Sequence, residues 1–246
     1  MVNDLLLFLA GIAAGLLGYL VGLASLVSYP VMVALGVPPV VANASNTVAL
    51  VPGGLGAVLT SWDRLKAVRT YPWGGLIGAV VVGGAVGAAL LLLAPATAFQ
   101  AVVPWLVLLA TVLIAAGPRI QRHAGRFRLG TATFVVLLTV VSVYGGYFGA
   151  GSGVMFLALC ALGSPLTTHE SVLLKTPLLE GANLIASVLF IAAGRVDWAA
   201  AVAVGVGSFV GGLVGPGIQK RIPERTMRLL VVLGGVALTV WLFVQA

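Results

Sequence analysis

The chain has 246 residues, of which 61% are hydrophobic and 8% are charged, and its formal net charge is +7. So few charges cannot cover so much apolar surface in water, which excludes a soluble globular domain and indicates an all-α polytopic membrane protein. Basic residues grouped in short loops are typical of membrane topology, so the positive charge gives no reason to expect nucleic acid. The single cysteine, Cys160, excludes a disulfide framework within one chain.

The first half begins with an apolar run at residues 5–27, long enough to span a bilayer. No basic residue precedes it, so we interpret it as a retained helix rather than a cleaved signal peptide. A short apolar run follows at residues 29–35, and Pro30 is expected to mark its start. Further spans are predicted at residues 40–62, 73–93 and 101–116.

The second half begins with a span at residues 129–148, followed by a glycine-rich break at residues 149–153. A short helix is predicted at residues 154–162. The polar stretch 165–187 then merges into a span that ends near Gly194. Two further spans complete the chain, at residues 198–214 and 227–244.

The two halves share a pattern, which indicates an internal duplication. Each reads as a long helix, a glycine break, a short helix, a Leu-Gly-x-Pro turn, a polar helix and two plain helices. The matching residues recur at one constant spacing: Gly22, Leu35, Gly36 and Pro38 in the first half, and Gly149, Leu162, Gly163 and Pro165 in the second. We therefore divide one integral membrane domain into repeats at residues 1–117 and 129–246, joined by a basic cytoplasmic linker loop at residues 118–128.

Loop charge predicts that the repeats are inverted. The basic loops lie at residues 63–69, 119–128 and 220–228, whereas the loops at 94–97 and 195–197 carry little net charge. Placing the basic loops in the cytoplasm puts corresponding loops of the two repeats on opposite sides of the membrane. Each repeat then needs a glycine-broken helical hairpin before three spanning helices, giving about eight spans plus short half-helices. Both termini are expected on the outer face.

Three polar residues of the first repeat, Asn43, Asn46 and Thr47, share one helical face. They follow a Gly-Val-Pro-Pro turn and so lie near a helix start, where free N–H groups and the positive end of the dipole favour anions. This pattern predicts a binding site for an anionic substrate. The alternative is that these side chains only cap the helix and form interhelical hydrogen bonds.

In the second repeat, Lys175 is a basic side chain deep inside an apolar segment. A charge there is costly without a partner or a water-filled cavity. We predict that Lys175 neutralises a bound anion while Thr176 and Asn183 donate hydrogen bonds to it. The alternative is a structural ion pair between Lys175 and either Glu180 or Glu170, which would require the helix to bend at Pro177.

Two acidic residues and several helix-breaking residues complete the candidate set. Glu180 is a candidate for proton coupling or for a fixed countercharge to Lys175, and Glu170 is a second candidate. Backbone breaks that permit gating are predicted at Gly22, Pro52, Gly149, Gly151, Gly153 and Pro177.

Other chemistry finds little support in the sequence. The run Gly149 to Gly153 follows no strand and precedes no Gly-Lys-Ser/Thr, so it does not indicate a nucleotide site. His169-Glu170 lacks the second histidine of a metalloprotease motif, because position 173 is leucine. We expect no metal, no cofactor and no enzymatic activity.

Together the motifs resemble the TauE/SafE sulfite exporter family, also called the TSUP permeases, over nearly the whole chain. The resemblance is carried by the duplicated glycine-break element, by VANASNTVALVPG at residues 41–53, by GGYFGAGSGVM at 145–155, and by GRVDWAAAVAVGVGSFVGG followed by RIPERTMR. It implies a multi-pass inner-membrane permease for sulfite, thiosulfate, organosulfonates or other small organic anions.

The sequence thus predicts a secondary transporter for a small anion bound at the membrane midplane between the two repeats. Its expected partners are that anion and the lipid bilayer, and a homo-oligomer is left open. The alternatives are a permease for a small carboxylate and a membrane scaffold without transport activity.

Overall fold

The computed structural model describes residues 2–21, 24–122, 129–219 and 224–245, and these form ten α-helices. Helical structure throughout agrees with the all-α prediction, and the predicted span at residues 73–93 is confirmed at both ends. The helices are α1 (Val2–Val21), α2 (Ser25–Ala34), α3 (Pro39–Ala67), α4 (Trp73–Leu93), α5 (Ala96–Arg122), α6 (Thr131–Tyr147), α7 (Ser152–Gly163), α8 (Thr168–Ala192), α9 (Trp198–Gln219) and α10 (Glu224–Gln245).

The predicted glycine break of the second half is confirmed between α6 and α7. Gly149 and Gly151 have φ angles of 80° and 79°, a left-handed conformation that side chains with a β-carbon rarely adopt. The main-chain N–H groups of Phe148 and Gly149 donate to the carbonyl of Tyr144, which closes the end of α6. The chain can therefore end one helix and begin the next within a few residues.

The short helix of the first half begins earlier than predicted. Pro30 was expected at its start, but α2 begins at Ser25 and Pro30 lies inside it. Proline lacks only its own N–H donor, so one such residue removes a single bond without ending the helix. Gly22, the predicted counterpart of the break at Gly149, lies outside the described residues.

Two long helix pairs pack through small residues, and each pair joins the two halves of the chain. Helix α1 packs along α9, and α4 packs along α6. A β-carbon built on Gly11 of α1 would lie 2.9 Å from Cα of Val204 of α9, and one built on Gly146 of α6 would lie 2.9 Å from Cα of Gly84 of α4. Such separations require glycine, which lets backbones approach closely where lipid provides no hydrophobic driving force.

The polar helices α3 and α8 pack against each other, while α9 also covers α3 and α4 also covers α8. One apolar core surrounds the start of α3 and includes Tyr29, Phe148 and Phe190. A second lies against α8 and includes Phe134, Phe156 and Leu178. This packing holds both polar stretches inside the helical bundle.

The outer surface is apolar, as expected for a surface solvated by lipid. Exposed side chains include Val82 on α4, Val202 on α9 and Val240 on α10. Among the described residues, three helices are long and apolar enough to cross a membrane: Trp73–Leu93, Ala96–Ile120 and Thr168–Ala192. The apolar surface and the composition of these helices both indicate that the protein is embedded in a membrane.

Candidate functional site

The three polar residues predicted at the start of α3 are buried. Asn43 and Asn46 are each 1% exposed, and Thr47 is 7% exposed. The Asn43 Nδ2 atom donates a hydrogen bond of 2.8 Å to the carbonyl oxygen of Tyr147, the last residue of α6. The Thr47 hydroxyl donates to the carbonyl oxygen of Asn43 at 2.9 Å, one turn earlier in the same helix. Asn43 therefore ties α3 to the edge of the glycine break.

Asn46 contacts Ser28, a fully buried residue of α2 that the sequence interpretation missed. The Ser28 hydroxyl donates to Asn46 Oδ1 and also lies 3.1 Å from the carbonyl oxygen of Ala24. Ser28 has no polar counterpart in the second repeat, where the equivalent position is Met155. The duplication therefore gave no signal for Ser28, and only the packing of α2 against α3 reveals it.

Both asparagines keep one amide atom without a hydrogen-bond partner. These atoms are Asn43 Oδ1 and Asn46 Nδ2, and both are fully buried. A buried polar atom left unpaired costs about 1–3 kcal/mol, so unpaired atoms concentrated at one helix start indicate a site for something that pairs with them. The same region thus offers one acceptor and one donor.

Lys175 is half-buried in α8, and its aliphatic stem lies against the start of α7. A β-carbon built on Gly153 would lie 3.4 Å from Cδ of Lys175, in van der Waals contact. Within the described part of the chain, no carboxylate lies within ion-pair distance of its ammonium group. The predicted structural pairs with Glu180 and Glu170 are therefore not formed as direct ion pairs.

The start of α7 adds a second positive feature beside Lys175. Its N-cap is Gly151, and two of its first N–H groups are paired: Ser152 donates to the Gly149 carbonyl at 3.1 Å, and Val154 donates to the Gly151 carbonyl at 2.9 Å. The first N–H groups of a helix point outward and carry the positive end of its dipole, which favours a negative group nearby. Lys175 therefore lies beside a helix start whose dipole favours a negative group, although some of its N–H groups are already paired.

The remaining predicted residues of α8 lie on one face of that helix. Thr176, Glu180 and Asn183 are each half-buried and follow at intervals of one turn. Glu180 Oε2 is fully buried and has no hydrogen-bond partner. Ser187, one turn beyond Asn183, also has a buried hydroxyl without a partner.

Glu170 lies apart from this face, at the exposed start of α8. Its carboxylate accepts hydrogen bonds from the N–H and hydroxyl groups of Thr167, both at 2.8 Å. In return, Thr167 Oγ1 accepts from the N–H of Glu170 at 3.2 Å, which completes a capping box. The structure thus gives Glu170 a role in starting the helix.

The predicted gating residues occupy different settings. Gly149 and Gly151 form the break itself, whereas Gly153 lies in the first turn of α7. Pro52 lies inside α3 and Pro177 inside α8, and neither interrupts its helix.

Each predicted half-site has a contact at an edge of the glycine break. Asn43 of α3 contacts Tyr147 on one side of the break, and Lys175 of α8 contacts Gly153 on the other. These contacts bring side chains of both repeats to one short segment. Among the described residues, no group of three or more histidine, cysteine or acidic side chains could hold a metal ion.

Comparison with known proteins identifies one family over nearly the whole chain. The family model described as "Sulfite exporter TauE/SafE" matches residues 7–242. No solved structure matches the chain.

Curated relatives are of similar length and are named as transporters. A "Probable membrane transporter protein" of Haemophilus influenzae is 25% identical over 234 residues, covering 93% of this chain and 89% of the relative. The "Probable membrane transporter protein YfcA" of Escherichia coli K12 is 26% identical over 241 residues, covering 95% and 88%. The "Probable membrane transporter protein ORF9" of Sinorhizobium sp is 24% identical over 239 residues, covering 95% and 90%.

Proposed function

We propose a function from the family to which this chain belongs, the TauE/SafE sulfite exporters. The chain is a membrane transporter of that family. We infer that it carries a small sulfur-containing anion, such as sulfite, thiosulfate or an organosulfonate, through a site between its two halves. The observation that carries this inference is Lys175, which forms no ion pair among the described residues and whose stem lies against the start of α7.

The charge on Lys175 supports an anionic ligand. An ammonium that is partly removed from water needs compensation, and along the described residues no carboxylate is close enough to pair with it directly. A bound anion supplies that compensation and is released when transport requires it. A permanent ion pair would fill the same position without leaving room for a ligand.

The first turn of α7 supports a ligand with several acceptor oxygens. Gly153 carries no side chain that would block approach to its own main-chain N–H group, whereas the N–H groups of Ser152 and Val154 on either side of it donate to main-chain carbonyls. Sulfite, thiosulfate and sulfonates present several oxygens around one sulfur atom, so they can accept from N–H groups and from Lys175 together. Thr176 and Asn183 extend the set of donors along α8.

Glu180 provides a second ionisable group in α8, and its charge changes when it takes up or releases a proton. Its Oε2 atom is buried without a hydrogen-bond partner, one turn from Asn183. In this proposal Glu180 balances Lys175 when the site is empty, or carries the coupling proton. Either role explains why an acidic group is kept close to an anion site.

The reciprocal packing supports the proposal that the halves are inverted repeats with a midplane site. The first helix of each half packs along the fourth helix of the other, as α1 does with α9 and α6 with α4. The third helices, α3 and α8, pack on each other. Inverted repeats place such a pair at the centre of the membrane, with the glycine break providing the movable segment. An inner-membrane location with both termini outside belongs to the same proposal.

Transport in proteoliposomes tests the role of Lys175. We expect Lys175→Ala to abolish uptake of radiolabelled sulfite, thiosulfate and sulfonate, and Lys175→Arg to retain part of it. Arg195→Ala, in the exposed turn after α8, is the matched control because it removes a basic side chain away from the site. Unchanged uptake by correctly inserted Lys175→Ala protein would refute the proposal, and uptake of carboxylates alone would replace its substrate class.

A further inference from the structure

An aromatic cluster surrounds the last residue of the chain before the glycine break. The ring centre of that residue, Phe148, lies 5.5 Å from that of Tyr29 on α2 and 6.3 Å from that of Phe99 on α5. The ring of Phe99 also lies 5.7 Å from that of Tyr147. Edge contacts at these separations are favourable for aromatic rings. Helices α2 and α5 therefore meet the break through side chains of one kind, the aromatic cluster (Tyr29, Phe99, Tyr147 and Phe148).

The aromatic cluster lies close to one face of the membrane. Phe99 is the fourth residue of α5, about 5 Å along the axis from the helix start. That start follows the turn at the end of the spanning helix α4, so it lies near a membrane surface. Tyr29, Phe99 and Phe148 are each at most 2% exposed. The rings therefore fill the space between the break and the membrane face at which α5 begins.

Buried polar groups adjoin the aromatic cluster from inside the protein. Asn43 Nδ2 donates to the main-chain carbonyl of Tyr147 at 2.8 Å, and Asn43 Oδ1 is buried without a partner. The stem of Lys175 meets the other edge of the break at Gly153. Unpartnered polar groups are costly in an ordinary apolar core, so an apolar seal beside them is an arrangement suited to a pathway that opens and closes.

Phe148 is attached to a segment that can change its backbone angles at low cost. It ends α6 with φ −135° and ψ −42°, outside the helical range, and the two glycines at positive φ angles follow it. Glycine adopts both positive and negative φ angles readily. A change of these angles redirects the Phe148 side chain while α6 and α7 remain helical.

We propose that Phe148 is a gate residue of the transport pathway. In this structure its ring closes the pathway towards the membrane face at which α5 begins. Rearrangement of the break withdraws the ring from Tyr29 and Phe99 and opens the pathway. This inference rests on one part of the proposed function, that the break is the movable segment, and it names the side chain which that segment moves.

The hydroxyl group of Tyr144 holds this gate closed. It donates to the main-chain carbonyl of Ala150, between the two glycines, so one side-chain bond spans the break. The Tyr144 main-chain carbonyl separately accepts from the N–H groups of Phe148 and Gly149, at 2.9 and 3.1 Å. Loss of the hydroxyl bond therefore frees the break while the main-chain bonds at the end of α6 remain.

A cysteine beside the break tests the gate without any substrate. Cys160, the one cysteine of the chain, is replaced by alanine, and Ser152→Cys places a thiol in the first turn of α7, where the native side chain is 7% exposed. A membrane-impermeant maleimide is added to right-side-out and to inside-out membrane vesicles. The rate of labelling from each face reports how often the pathway opens to that face.

Variants of the gate should speed this labelling from one face only. We expect Tyr144→Phe to label about fivefold faster, because one hydrogen bond no longer favours the closed break. Phe148→Ala should label at least as fast, and Phe148→Leu, which keeps much of the apolar volume, should lie between. Tyr71→Phe is the matched control, since it also removes a tyrosine hydroxyl that donates to another residue, Ser164, and it should leave the rate unchanged.

Three outcomes overturn the gate. They are labelling of Tyr144→Phe and Phe148→Ala no faster than the parent, equal acceleration by Tyr71→Phe, and acceleration from both faces. The second would report a general loosening of the fold. If Phe148→Ala is not recovered folded, Tyr144→Phe decides. No anion enters the measurement, so a failed gate leaves the proposed anion transport intact, whereas transport unaffected by Lys175→Ala refutes that function without changing the labelling result.

Discussion

At the start of α3, Asn43 and Thr47 are buried, and each donates a hydrogen bond to a main-chain carbonyl. In the middle of α8, by contrast, Lys175 and Glu180 are half-buried, and neither makes a direct ion pair within the described part of the chain. The first region serves structure, because the Asn43 bond joins α3 to the end of α6. The second holds one basic and one acidic group that, in the described part of the chain, are not joined in a direct ion pair. The difference teaches that polar residues inside two helices that pack together need not do the same work: those of α3 bond to the fold, whereas the charged groups of α8 are left for the ligand that we propose.

Removing both charges from α8 should produce the largest change. We expect the double variant Lys175→Met with Glu180→Gln to unfold with a free energy about 1–4 kcal/mol higher than the wild type, because two desolvated charges are replaced by neutral side chains. The same protein should lose all stabilisation by sulfonates. Reversible unfolding in detergent measures the first effect and ligand-dependent melting the second. A double variant less stable than the wild type would show that these charges support the fold.

Removing the amide from α3 should act in the opposite direction. We expect Asn43→Ala to lower the free energy of unfolding by about 1–2 kcal/mol, because the Tyr147 carbonyl loses its donor inside the protein. Ser142→Ala removes an unpartnered hydroxyl and provides the control, with a change within about 0.5 kcal/mol. Equal effects of the two substitutions would mean that the Asn43 bond contributes nothing to stability.

Ser28→Ala should have a smaller effect on the same region. The substitution removes the hydrogen bond to Asn46 and should cost about 1 kcal/mol of unfolding free energy. Reversible unfolding in detergent measures the change. A variant as stable as the wild type would show that Asn46 gains no support from Ser28.

The exposed start of α8 should respond least. Glu170→Ala removes one half of the capping box and should cost about 0.5–1 kcal/mol, whereas Glu170→Gln keeps its hydrogen bonds and should be near neutral. Hydrogen exchange at the amides of Thr167 and Glu170 reports the local effect. Faster exchange in the glutamine variant as well would show that the charge of Glu170, not its geometry, holds the helix start.

Much of the fold follows from local sequence. Both ends of the span at residues 73–93 could be predicted, because the apolar run lies between two turns that contain proline. The break at Gly149 and Gly151 could be predicted because backbone with positive φ angles favours glycine. The start of α2 could not, because a proline inside a helix and one at its first turn look alike in the sequence.

The site was predictable only as two separate lists of residues. Lys175 is conspicuous as a charge in an apolar helix, but its contact with Gly153 depends on how α8 packs against α7. Ser45 illustrates the same limit: it lies among the candidate residues, yet its hydroxyl accepts from the N–H of Asp197 at 2.8 Å and so fixes the turn before α9. The local sequence pattern identifies the polar residues of a helix. Which of them form hydrogen bonds with other parts of the protein depends on tertiary packing.

The close pairing of α1 with α9 has a consequence for synthesis of the chain. Gly11 and Gly15 of α1 pack closely against α9, which begins at Trp198. At a synthesis rate of roughly 5–20 residues per second, α1 waits roughly 10–40 seconds in the membrane before its partner is made. During that interval α9 is not yet there to cover Gly11 and Gly15, so a helix made early is among the last to complete its packing.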